Sequence, residues 1–403
     1  MGIPAHSPPP TATRLASVDA YRGVVMFLMM AEILKFAAVS KTLPGNETWK
    51  FLAGLQTHVE WIGCSLHDLI QPSFSFLVGV SLPYSIAARS ARGQSKLVMS
   101  LHAFWRAFVL VWIGIILRSI WTSKTPDYGF TDTLSQIGLG YGFLFLLGFR
   151  PVRDQWIAFG LILVGYWLFF AQNPAPGADF NWAAVGVKQA WLDENGLTGF
   201  AAHWSKNANA AAEFDVWFLN LFPREKPFEF SGGGYQVLSF IPTLATMILG
   251  LIAGGVLKGD RSRWGKAGWL MVAGLLGLAL GYGWGLTGTC PVVKRIWTPS
   301  FVLFSGGWCF LLLAAFYVVV DLIGFKRWAF PLVVIGMNSI AAYCISTSFV
   351  KPELHKMVMK HFGEGTFAVL GPEYVPLLHG AVTLTLLWLI LLWMYRRKVF
   401  LRV

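Results

Sequence analysis

Charge is the first thing this sequence lacks: of its 403 residues only 13% are Asp, Glu, Lys or Arg, and 20 are acidic. An ordinary soluble domain carries about twice that fraction of charge, so a water-facing globule is excluded before any motif is read. The recurring signatures of soluble enzymes are missing too, with no P-loop, no HExxH, no GxSxG and no dinucleotide fingerprint after a strand. A glycine run does occur at Ser231 to Tyr235 (SGGGY), but it precedes the outward end of an apolar segment, where a flexible hinge explains it better than a phosphate cradle. Cysteine is sparse: Cys64, Cys290, Cys309 and Cys344 have no metal-ligand spacing, and no metal is expected. Cys64 and Cys290 fall on the same predicted side, which leaves a pairing open beside the plainer reading of four small apolar side chains. The first sixteen residues (MGIPAHSPPPTATRLA) are rich in Pro and hold no apolar core of signal-peptide length, which predicts a disordered cytoplasmic tail over residues 1–16 rather than a cleaved leader.

What is abundant is apolar surface. Hydrophobic residues make up 55% of the chain, with 32 Phe and 19 Trp, more than the core of a soluble domain of this length needs. With a span of about 20 residues as the ruler, ten apolar segments appear. They lie near Tyr21 to Val39, Leu69 to Ala88, Leu101 to Ile120, Thr133 to Phe149, Gln155 to Ala171, Tyr235 to Leu257, Trp264 to Leu286, Thr298 to Ile323, Trp328 to Phe349 and Tyr374 to Tyr395. The expected fold is an all-α polytopic integral membrane bundle of about ten transmembrane helices over residues 17–403, with the lipid bilayer as its solvent. The net charge of +12 does not point to nucleic acid, because the basic residues come in short clusters between apolar runs instead of one stripe. Those clusters (Arg89, Arg92 and Lys96; Arg150 and Arg153; Lys258 to Lys266; Lys326 and Arg327; Arg396 to Lys398) fall on alternate linkers. The positive-inside rule then puts those linkers and both termini in the cytoplasm. The opposite linkers face outward, among them Ser40 to Asp68, Thr287 to Trp297 and Val350 to Glu373.

Proton-transferring groups gather at one outward helix mouth. The stretch Gln56 to Ser85 packs His58, Glu60, His67 and Asp68 together and then runs into an apolar helix. Ionisable groups at membrane depth cost roughly 2.5 to 3.5 kcal/mol each, so such a cluster marks a pathway or a reaction site, and His exchanges protons near neutral pH without special tuning. The largest outward linker, residues 172–234, carries Trp182, Trp191, Trp204, Trp217 and several carboxylates. A linker of that length is functional or disordered, and its Trp content argues against disorder. Aromatic faces beside carboxylates suit a sugar ring bearing an amine, with Trp204 and Trp217 as the stacking surfaces; an interfacial aromatic belt with a structural cap is the alternative.

Five ordered blocks carry a family resemblance: SVDAYRGVVM (from Ser17), HVEWIGCSLHDLIQPSFSFLVGVSLPYS (from His58), GYQVLSFIPTLATMILGLIAG (from Gly234), IWTPSFVLFSGGW (from Ile296) and GMNSIAAY (from Gly336). Together they resemble the heparan-α-glucosaminide N-acetyltransferase family, whose bacterial relatives are catalogued as transmembrane acyltransferases or under a domain of unknown function. The resemblance implies a bacterial inner-membrane acyltransferase that takes the acetyl group of cytoplasmic acetyl-CoA to an amine, or a hydroxyl, of an extracytoplasmic amino sugar or glycan. The family's catalytic His precedes a Trp by three residues, a Gly by five and a helix-opening Asp by ten. His58, Trp61, Gly63 and Asp68 reproduce that spacing, so the catalytic role carries to His58, with Trp61 on the acceptor side. His67 has no counterpart. Where the lysosomal enzyme has a functionally important Asn near the end of its first membrane helix, this chain has Glu32 and Ile33.

Acyl transfer needs an attacking amine freed of its proton, donors for the developing oxyanion and a positioned thiolate. His58 serves as general base or as the acetyl carrier itself; Asp68 either orients His58 or caps its helix. Glu32, about 16 Å along its helix, either pairs with Lys35 three residues on or acts in catalysis or amine binding. Asn338 and Gln136 are intramembrane amides able to donate to the substrate or to hold helices together. Arg89, Arg92 and Arg106 suit the phosphates of CoA, or simply obey the positive-inside rule. A transporter or flippase of a sugar or lipid-linked substrate is the alternative function, although the two halves show no inverted repeat. A homodimer is left open.

Overall fold

The computed structural model describes residues 15–121 and 125–401, the side chain of Glu364 excepted. The chain enters as α1 (Ala16–Met30), breaks through a 3-10 turn at Ala31–Leu34, and continues as α2 (Phe36–Thr42) and α3 (Glu47–Gln56). The disordered tail expected over residues 1–16 lies, up to residue 14, outside the described residues, and Ala16 already belongs to α1. A loop then leads to the 3-10 turn His67–Leu69 and α4 (Ile70–Ser90), followed by α5 (Lys96–Ser119), α6 (Thr133–Leu147) and α7 (Val152–Ala171). The outward insertion holds α8 (Gln189–Asn195) and α9 (Ala210–Leu219). The second half runs through α10 (Phe240–Lys258), α11 (Arg263–Leu286), α12 (Pro299–Phe316), α13 (Phe330–Met337), α14 (Ser339–Thr347), α15 (Val350–Phe367) and α16 (Val375–Arg396).

Among the described residues, 8 helical stretches are long and apolar enough to cross a membrane. α13 and α14, bent by 68° at Asn338, make a further broken span, and α6 is a shorter apolar helix. Every apolar segment read from the sequence falls on one of these, so the protein is a polytopic helical membrane bundle. Lipid tails offer no water to escape from, so such helices associate through close packing of small residues rather than the hydrophobic effect. α4 and α10 illustrate this. A Cβ at Gly79 would run into the Met247 carbonyl, and a Cβ at Gly250 into that of Phe76, so the two backbones lie in direct contact along their shared face. α10 is the hub, buried along most of its length among α4, α6, α7 and α12.

The insertion folds onto the outward end of this bundle. Trp204 and Trp61 pack with Tyr166 and Phe170 of α7 and with Cys290, Val293 and Ile296 of the loop before α12. Trp61 donates its indole N–H to the Trp204 carbonyl at 3.1 Å, joining the insertion to the loop that carries His58. The four cysteines are all free, so the pairing of Cys64 with Cys290 left open above does not occur.

Candidate functional site

Two loops from distant parts of the chain meet above the first turn of α4. In the loop after α3, Gly63 has φ +117°, a conformation side chains rarely adopt, and it donates its N–H to the Val292 carbonyl at 2.9 Å. Beside it Ile62 pairs in antiparallel fashion with Val293. The second loop is held by the buried hydroxyl of Thr298, which accepts from Val293 N–H at 3.0 Å, donates to the Pro291 carbonyl at 2.8 Å and caps α12. Zipped together, the loops deliver Lys294 beneath His58.

The centre is a triad. Asp68, whose side chain is 1% exposed, lies 2.7 Å from Nδ1 of His58 and 3.2 Å from Nζ of Lys294, both through Oδ1. Its Oδ2 accepts from the backbone N–H groups of Val59 (3.2 Å) and Ser65 (3.0 Å) and from the Ser65 hydroxyl (3.0 Å). None of these donors belongs to the first turn of α4, so Asp68 does not cap that helix and is placed instead to hold the His58 ring. A buried carboxylate is tolerated only when paired and fully hydrogen-bonded, and this one is both. Lys294 Nζ also stands 3.1 Å from Nδ1 of His58. Nδ1 cannot donate to the carboxylate and accept from an ammonium at once, and the shorter Asp68 contact assigns the proton to Nδ1, with Lys294 donating to the shared Oδ1.

That tautomer leaves Nε2 of His58 with its lone pair free. Nε2 has no partner among the described residues, and the side chain is 39% exposed. Burial pushes the His58 pKa down; the bond to Asp68 pulls it up, and the Lys294 ammonium pushes it down again, leaving it below the ordinary value. His58 is therefore neutral at physiological pH, with an available nucleophilic nitrogen. Cys64, in the same loop, is no rival nucleophile: burial and the Asp68 charge push its thiol far up.

A second histidine–carboxylate pair backs onto the first. The His67 ring lies 4.5 Å from that of His58, centroid to centroid, and its Nε2 is 2.9 Å from Oε1 of Glu32. Oε2 of Glu32 accepts from Lys351 Nζ of α15 at 3.3 Å. The expected Glu32 to Lys35 pair is not formed, because the helix breaks between them: Lys35 takes a left-handed conformation with φ 51° and is joined to Glu32 only through its backbone N–H. The insertion also reaches this site. Trp191 donates to Glu60 at 3.3 Å and packs edge-on against Trp61, and Lys206 Nζ lies over the Trp191 ring, 4.9 Å from its centroid.

Toward the opposite end of α4 lies a cavity of about 810 Å³ that brings Arg89, Arg92 and Arg106 together with Arg22, Tyr84 and His102. Arg106 rests over the Tyr141 ring at 4.9 Å, and its Nε is buried without a partner among the described residues. The cavity wall includes Phe74. From Arg89 to Phe74 it follows α4 for about 22 Å, and Phe74 is about 9 Å along the axis from Asp68.

Other expected contacts are corrected. Trp204 is 0% exposed and stacks on Phe170, so it cannot present a face to a sugar. Trp61, 1% exposed, is likewise enclosed and is a supporting residue. Gln136 donates to the carbonyls of Phe130 and Val237, and Asn338 ties down the C-terminal segment through Val399 and Leu401; both amides are buried and serve packing. Trp217, on α9, keeps its ring 61% exposed. Lys294 and Lys351 were missed from sequence, whereas His67 and Trp191 were named in their clusters without a contact assigned to either. Nothing local marks the two lysines: they are two of several basic residues on outward linkers, beside Lys50, Lys206 and Arg295.

No family model matches the chain. It is similar to heparan-alpha-glucosaminide N-acetyltransferase of Homo sapiens, 27% identical over 379 residues, which cover 82% of this chain and 52% of that protein. It is similar in the same way to the Mus musculus protein of that name, 26% identical over 387 residues, covering 83% of this chain and 53% of the relative. The chain thus spans about half the length of the curated relatives it matches, and the family resemblance read from the five sequence blocks is borne out.

Proposed function

We propose that this protein is a transmembrane acetyltransferase that moves the acetyl group of acetyl-CoA to an amine of an amino sugar or glycan on the opposite face of the membrane. The observation that carries this reading is the Asp68–His58–Lys294 triad at one end of α4, with an arginine-lined cavity climbing toward it from the other. Donor and acceptor can then approach one nitrogen from opposite sides. Similarity to N-acetyltransferases favours this chemistry over transport.

In the mechanism, Arg89, Arg92 and Arg106 hold the donor's phosphates by charge-assisted hydrogen bonds, and the cavity along α4 takes its arm. Nε2 of His58 attacks the thioester carbonyl, the carbon–sulfur bond breaks, and CoA leaves as thiolate. Asp68 keeps the proton on Nδ1 and balances the imidazolium that forms. Lys294 prevents protonation of His58 before attack. The acceptor amine then attacks the acetyl carbon, the bond to Nε2 breaks and returns its electron pair to His58, and the proton shed by the amine leaves on the acceptor side. Both termini in the cytoplasm and a bacterial inner membrane fit this direction of transfer.

The test uses protein purified in detergent, acetyl-CoA, and a panel of amino sugars and cell-wall fragments, with CoA release followed over time. Wild type should release CoA, and rapid quench should trap an acetyl-imidazole. His58→Ala should bind acetyl-CoA, yet lose turnover by more than the factor of roughly 100 to 10,000 credited to acid–base help alone. Turnover by His58→Ala at the wild-type rate would sink the assignment.

A further inference from the structure

Glu32 is a carboxylate that the triad does not use. Its side chain is 42% exposed although it sits in the first membrane span, whereas Asp68 is sealed. Each Glu32 oxygen has one cationic or imidazole partner, His67 on Oε1 and Lys351 on Oε2, drawn from different parts of the chain and largely buried themselves, His67 at 7% and Lys351 at 18%. Three elements therefore converge to hold an open carboxylate one imidazole ring, that of His67, away from His58: the break after α1, the turn before α4 and the start of α15. A charge at membrane depth held this way is costly, and is retained for binding or proton transfer. It is also on the acceptor's side, since the donor cavity meets α4 from below.

Attack on an acetyl-His58 requires an unprotonated amine, and the attacking nitrogen must shed a further proton as the new bond forms. His58 cannot take that proton: its Nε2 carries the acetyl group and its Nδ1 proton is committed to Asp68. We infer that Glu32 is the general base of the second half of the transfer, with His67 and Lys351 as positioning residues. The amine nitrogen bonds to the acetyl carbon, the carbon–Nε2 bond returns its electron pair to His58, and the nitrogen's proton goes to Glu32, which releases it to the outer solution. The two histidine–carboxylate pairs thus divide the reaction: Asp68 and His58 accept the acetyl group, and Glu32 with His67 deprotonates its acceptor. This rests on the acetyl-transfer reading above.

The experiment separates the halves. Wild type, Glu32→Gln, His67→Ala and His67→Gln are mixed with acetyl-CoA, first without acceptor, following the burst of CoA release, and then with an amino sugar. Glu32→Gln should keep the burst, which also reports that it is folded, and lose steady-state turnover by roughly 100- to 10,000-fold. His67→Ala should lose less, and His67→Gln, which can still donate to Glu32, should recover part of that loss. Hydroxylamine is unprotonated at neutral pH and its adduct nitrogen is acidic enough to lose its proton to water, so it should discharge the acetyl-enzyme of wild type and Glu32→Gln at similar rates. Loss of the burst together with turnover in Glu32→Gln, unchanged turnover with the amino sugar, or an equal loss with hydroxylamine would each overturn the inference while leaving acetyl transfer standing. A wild type that releases no CoA would overturn both.

Discussion

Replacing Lys294 with Met removes a buried ammonium 3.1 Å from Nδ1 of His58 and keeps most of the side-chain volume. At that separation, with an effective dielectric of about 20, the bare repulsion between Lys294 and a protonated His58 is about 5 kcal/mol. His58 is partly open to solvent, so well under half of that survives screening. At about 1.4 kcal/mol per pH unit, the His58 pKa should rise by about one unit. The sign follows from the arrangement: the like charge that opposes protonation is gone, while Asp68 that favours it remains. Activity needs neutral His58, so the acid limb of the pH–rate profile should move upward by that amount. On the acid limb turnover should fall by up to about 10-fold per unit of that rise and recover at high pH, with Lys294→Arg close to wild type. Asp68 keeps its three Oδ2 donors, so the fold should hold, and donor binding at high pH checks that it does. An acid limb that stays in place or moves downward would refute the role given to Lys294.

Removing the cavity's positive charge should act on the donor alone: Arg106→Ala combined with Arg89→Ala should raise the KM for acetyl-CoA by roughly tenfold to a hundredfold, at about 1.5 to 3 kcal/mol per charge-assisted bond reduced by solvent exposure, with the acceptor KM unmoved. Equal effects on both would detach the cavity from donor binding. In the insertion the two tryptophans should behave differently. Trp204→Ala empties a sealed aromatic site and should destabilise the protein by about 3 to 5 kcal/mol, seen as a lower melting temperature. Trp217→Ala should leave melting unchanged and weaken acceptor binding, and an unaltered acceptor affinity would remove the insertion from recognition.

The spans were readable because each apolar run is long enough to show through any uncertainty at its ends, and even the broken helix pair at Asn338 reads as one continuous segment. His58 and Asp68 were readable because ten residues of loop carry both. Lys294 was not, because nothing local relates it to a residue 236 positions away, and other basic residues such as Arg295 share its side of the membrane. The expected Glu32 to Lys35 pair presumed an uninterrupted helix, and the left-handed Lys35 removed that premise. Trp204, Gln136 and Asn338 show a different limit. A polar or aromatic side chain in an apolar run looks the same in sequence whether it faces a substrate or plugs a gap, and all three plug gaps.

The backbone contact between α4 and α10 gives the reaction a yardstick. With no side chain between Gly79 and Met247, or between Gly250 and Phe76, the two helices cannot slide past each other without clashing. The separation between the arginines at the foot of α4 and the imidazole at its head is thereby set by residue count, about 30 Å along the axis. On the acetyl-transfer mechanism proposed above, a donor would be selected by reach as much as by its acyl group: carriers whose arms stop short would leave the carbonyl stranded below His58, and adding one helical turn to both helices would move the measure by about 5.4 Å.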